Sequence, residues 1–185
     1  MSFDLITSTT GGSLLQPLID LGVPSALVPA IGDERYSMLD LAWVLDPSDA
    51  GMVEAWKREW TSLNLTPWKK DVSDCNYYAD QFVAWLRRAH ARQSFDDAGS
   101  PGDTSLAAGV LWYKPTWAAG GLHARPMLWS NTGGPLDGDQ KLVVTPVESI
   151  WKVLDTVEET VSVSPMFGIG QITREEYATT DFLKW

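Results

Sequence analysis

"VSDCNYYADQFVAWLRRAH", residues 72–90, decides how the chain is read, because it places the only cysteine, Cys75, in front of an unbroken helical pattern. Ala79, Phe82, Val83, Leu86 and Ala89 recur at the three-and-four spacing that lines one face of a helix. Ser73 or Asp74 is suited to cap that helix, which puts Cys75 in its first turn. The pattern stops near Gln93 and gives way to "SFDDAGSPGDTS", a polar loop dense in breakers.

Upstream the pattern is helical and interrupted. Residues 1–35 read as an arm packed on the domain, with one short helix in "LLQPLIDLG". "YSMLDLAWVL" reads as a continuing helix. Asp46 or Ser48 then caps another through "AGMVEAWKREWTSL", with Val53, Trp56 and Trp60 on one stripe. Downstream the texture changes. "LAAGVLWYKP", "LHARPMLWS" and "KLVVTPV" read as strands, the last two joined by the hairpin-like "NTGGPLDGDQ". "SIWKVLDTVEETVSVSPMF" fits a strand or a short helix, and "TREEYATTDFLKW" a final helical turn or tail. Helices first and an antiparallel sheet after them make the class α+β, with one domain over residues 36–185.

Composition narrows the function. In 185 residues, 44% are hydrophobic and 21% charged, enough for a packed core. The ten tryptophans are scattered, which favours core packing over one carbohydrate-stacking platform. A net charge of -10, with no basic cluster larger than Arg87 and Arg88, repels phosphate backbones and argues against nucleic acid. One cysteine excludes an internal disulfide and a cysteine-rich zinc site. The start carries no signal-peptide pattern and no apolar run spans a bilayer, so a cytoplasmic or host-cytoplasmic protein away from membranes is expected.

The chemistry turns on Cys75. A free cysteine is often a small buried apolar residue, and Cys75 shares the stripe of Ala79 and Phe82. A thiol in a helix's first turn, however, faces unpaired backbone N–H groups that favour the thiolate and could hold an oxyanion. Such a nucleophile needs a base, and the sequence has two histidines. His90 lies fifteen residues further along the same helix, about 22 Å away, and suits that helix's C-terminal end beside Arg92. His123 opens a strand in the sheet expected to pack on that helix.

A cysteine at a helix start, a histidine at a strand start, a hairpin and a strand closing on "TP" resemble the papain-like and transglutaminase-like cysteine peptidases. A similar variant is that of a mushroom agglutinin's catalytic domain and many phage-encoded proteins. "DCNYYA", Asp74–Ala79, matches its acidic-Cys-polar-polar-hydrophobic-Ala stretch, and the likeness runs over roughly residues 36–155. It implies a papain-like fold and a peptidase or amidase acting on protein or peptide, with Cys75 as nucleophile and His123 as base.

Three positions depart from the pattern. "HARP" keeps His123 and Ala124 but has Arg125 and Pro126, and proline implies an edge or bulged strand. Thr145 stands before Pro146 where the family has a glutamate, so Thr145 or Glu148 is left to orient His123. Lys69 stands where papain has its glutamine, leaving the Cys75 N–H, Trp68 or Asn76 as oxyanion donors. The alternative is a degenerate papain-like domain that binds a partner protein or inhibits it. No cofactor is expected. Calcium is suggested by the resemblance alone, since Asp71, Asp74, Asp80, Asp137 and Asp139 suit caps and turns.

Overall fold

A computed structural model of the chain describes residues 5–29, 35–46, 48–64, 75–96, 104–116, 121–131, 140–144 and 174–185. The elements are β1 (Leu5–Thr10), α1 (Gly11–Leu21), β2 (Arg35–Asp40), α2 (Leu41–Leu45), α3 (Met52–Ser62), α4 (Cys75–Asp96), β3 (Ser105–Leu106), β4 (Ala108–Tyr113), β5 (His123–Asn131), β6 (Gln140–Val144), α5 (Arg174–Ala178) and β7 (Phe182–Lys184). The class is α+β.

One sheet organises them. Its described strands run β1-β2-β5-β4-β7, with β3 attached to β2 and β6 to β5. The hairpin-rich half is antiparallel, β4 with β5 and β7, and β5 with β6. That half is the expected C-terminal antiparallel sheet, and β2 joins β5 and β3 in parallel, so the sheet as a whole is mixed.

The N-terminal segment does more than pack on the domain. It contributes β1, antiparallel to β2, and the Leu14 carbonyl accepts a hydrogen bond from Trp129 Nε1 at 3.0 Å. "YSMLD" is strand and not helix. Tyr36, Ser37, Met38 and Leu39 are all buried, so both faces of β2 are covered, and a run buried on both sides carries no period-two signal. Helix begins only at Leu41, where Asp40 caps α2 by accepting from Ala42 N at 2.9 Å. Neither Asp46 nor Ser48 caps α3. Its N-cap is Gly51, and the Asp46 carboxylate accepts from Ser48 N to close the preceding turn, which holds its own pKa down.

Strand alternation sorts the apolar residues into two layers. Ala108 and Val110 of β4, with Ala124 and Leu128 of β5, face α3 and α4 and pack with Trp56, Trp60, Tyr78, Phe82 and Leu86. Leu111, Tyr113, Met127 and Trp129 face the other way, toward α1 and α5, and pack with Leu14, Leu18 and Tyr177. Helices therefore cover both faces of the sheet. The use of tryptophan for core packing is seen in both layers: Trp43, Trp56, Trp60 and Trp85 are buried under α4, and Trp129 on the other side.

Pro126 does not mark an edge strand. β5 lies inside the sheet, and its register with β4 is regular from His123↔Tyr113 to Leu128↔Ala108. Trp129 N donates to Ala107 O, so odd-numbered residues of β5 aim their backbone groups at β4 and Pro126 aims its nitrogen away. On that far side, described pairing with β6 starts only at Met127. The proline thus sits where no described ladder bond needs its missing N–H.

Candidate functional site

Cys75 opens α4, as its place before the apolar stripe predicts. Tyr78, Ala79, Phe82, Val83 and Leu86 of that stripe are buried against the sheet, and Cys75 and Ala89 pack against the same layer while partly exposed. The Cys75 thiol lies 3.6 Å from Asn76 Oδ1, within reach of a weak S–H hydrogen bond. Ser73 and Asp74, the expected caps, lie outside the described residues, as do Trp68, Lys69 and Asp71.

The direction of α4 puts Cys75 and His123 at the same end of the molecule. Arg87 donates from Nη2 to Ala108 O at 2.8 Å, and Asp80 is bridged by Lys184, which is paired with Val110. Moving back along α4 therefore means moving forward along β4, toward Tyr113, whose partner across the sheet is His123. The backbone therefore carries the two segments to one end of the sheet.

The side chains do not follow. In the unbroken register of β4 and β5, His123 alternates with Ala124 and shares its face with Arg125, Met127 and Trp129. Its ring lies edge-to-face against Tyr113, centroids 5.8 Å apart, on the layer that holds α1 and α5. Cys75 lies on the opposite layer, and the residue of this strand end that faces it is Ala124. Strand alternation thus assigns the expected Cys75–His123 pair to different layers, because a period of two sends successive side chains of β5 to opposite faces.

His123 also lacks the properties of a base working near neutral pH. It is 6% exposed. Burial, and then the neighbouring Arg125 cation, push its pKa down to about 4, which keeps it neutral. Thr145 and Glu148, the residues expected to orient the imidazole, lie outside the described residues. His90 departs from its expected place too. α4 continues to Asp96, so His90 is not at the helix end but buried within it, its pKa lowered by desolvation.

Around His123 the sheet builds a polar group that its sequence neighbours did not suggest. Arg125 and Glu176 are buried on this side, and Glu176 Oε1 accepts from Thr116 N at 2.7 Å and from Thr116 Oγ1 at 2.9 Å. The Tyr177 hydroxyl is raised by burial to about 12, with Arg125 pulling the other way. The available signal was the alternation of "HARPMLW". Its odd positions include Met127 and Trp129, which need an apolar layer of their own, and His123 belongs to that set. Among the described residues no group of three His, Cys, Asp or Glu side chains could hold a metal ion, and Asp71, Asp74, Asp137 and Asp139 fall outside them. No described helix is long and apolar enough to cross a membrane.

Comparison with models of protein families, with curated proteins and with solved structures finds no match to this chain.

Proposed function

We propose that the chain is a binding domain on a papain-like plan, one whose cysteine and histidine do not work as a catalytic pair. What supports this reading is the assignment of Cys75 and His123 to opposite faces of the sheet by the β4–β5 register and cluster membership. General-base activation requires hydrogen-bond reach, about 2.6–3.2 Å between heavy atoms or one intervening water, which placement on opposite faces disfavours. A histidine whose pKa burial, and then Arg125, lower to about 4 supports the same reading, since little imidazolium is present near neutral pH to stabilise a thiolate. The partner in this reading is a protein or peptide, because the acidic surface disfavours nucleic acid. A phage-encoded origin goes with the resemblance.

A specific observation keeps thiol hydrolysis as the second reading. Cys75 occupies the first turn of a 22-residue helix and shares its end of the molecule with His123. The two readings separate in a burst experiment with an activated acyl ester such as p-nitrophenyl acetate. A binding domain is expected to release no stoichiometric burst that depends on His123. A burst of about one equivalent, abolished in both Cys75→Ala and His123→Gln, would establish the hydrolase instead.

A further inference from the structure

At the sheet's margin, α4 runs beside the end of β7 and leaves a cleft of about 300 Å³ lined by Asp80, Val83, Ala84, Arg87, Val110 and Lys184. Val83, Ala84 and Val110 make an apolar floor, and the three charged side chains supply its polar groups. We propose that this cleft binds a monoanionic carboxylate carrying an aliphatic group, the chemistry of a peptide C-terminus with an apolar last residue. The proposal goes beyond the binding reading above and does not depend on it, since neither Cys75 nor His123 lines the cleft.

Three features fit that ligand. Two cations and one carboxylate line the cleft, leaving one net positive charge in a chain whose overall charge is -10. Arg87 is already oriented, because Nη2 donates to the Ala108 carbonyl beyond the last rung of β7, leaving the rest of its fork as donors. Lys184 is held beside it by Asp80 at 2.8 Å, in a pair exposed enough on both sides to rearrange at little cost. A carboxylate can take its place between the two cations while its aliphatic group covers Val83 and Ala84. Asp80 remains at the rim and repels a second negative charge, which disfavours phosphate. The volume is at the small end for ligand sites, enough for one aliphatic residue and its terminus.

The test is a titration of the intact protein, followed by amide NMR, with acetyl-Gly-Gly-Leu, its C-terminal amide, N-acetyl-leucine and inorganic phosphate. The free acid is expected to saturate, with shifts centred on residues 80–87 and 184. Removing one charge-assisted hydrogen bond should weaken binding about 10- to 100-fold, so the amide, Arg87→Gln and Lys184→Gln should each fall by at least about tenfold. Ala84→Trp, which fills the cleft from α4, should abolish binding in a protein of unchanged circular dichroism. Binding of acetyl-Gly-Gly-Leu at least about tenfold tighter than N-acetyl-leucine would assign a peptide terminus, and equal binding a small free acid; both support the carboxylate site. Equal binding of acid and amide, equal competition by phosphate, or no saturation by the acid would overturn it.

Discussion

Replacing Trp56 with alanine is expected to destabilise the protein by about 3–5 kcal/mol. Trp56 is fully buried and sits at the centre of the layer between α3, α4 and the sheet. Its ring meets Phe82 and Trp85 with centroids 5.3 Å away in each case, and Trp60 at 5.6 Å. Such pairs add to the area term because edge and face carry opposite partial charge. The indole Nε1 has no hydrogen-bond partner among the described residues, so part of what tryptophan gains in packing is offset by a buried donor. Trp56→Phe should therefore cost far less than Trp56→Ala, because it deletes the donor along with the lost area. Urea midpoints of the three proteins measure both steps. A loss below about 1 kcal/mol in the alanine variant would mean that this layer is not the core.

Acidification should cost about 3 kcal/mol through His123 alone. The sign follows from the two states. Unfolded, the imidazole titrates near its ordinary value of 6.5; folded, burial and Arg125 hold it at about 4. Between those values the unfolded chain binds the proton and the native protein does not, so stability is complete above pH 6.5 and falls as pH drops toward 4. His90, also lowered by burial, adds a loss of the same sign. Comparing wild type with His123→Phe at pH 7 and pH 4.5 isolates the effect, because the carboxylates common to both cancel in the difference. The variant should lose about 2–3 kcal/mol less than wild type between the two pH values. Equal losses in the two proteins would place His123 in water and contradict its burial.

These two residues also mark how far the sequence could be read. The α4 stripe and the Trp56–Trp60 pair on α3 were legible because each helix buries one face, and a one-sided burial writes a 3.6 period into the chain. β2 was not legible as a strand. Buried on both faces and joined to "LAWVL" without a breaker, it has the same apolar texture as a helix, and only Asp40, the α2 cap, marks the boundary. β7 was missed because Phe182–Lys184 is too short to show alternation. The step the sequence left open was the face of β5. The cysteine's helix and the histidine's strand were both found, and so was the end of the molecule they share. Which face of β5 looks at α4 depends on a second helical layer, and α1 and α5 supply it. A strand read with only one layer in mind gives no means of choosing the side of its histidine.

Alkylation of Cys75 tests the separation of the two side chains most directly. The rate of iodoacetamide labelling should be followed from pH 5 to pH 9 in wild type and in His123→Gln, with circular dichroism as the control for folding. If the sheet stands between thiol and imidazole, the two pH profiles should superimpose within about twofold, because nothing at Nδ1 or Nε2 of His123 acts on the sulfur. A histidine-dependent thiolate, seen as labelling at pH 6 that slows by about tenfold or more in the variant, would contradict that arrangement and restore the cysteine–histidine pair.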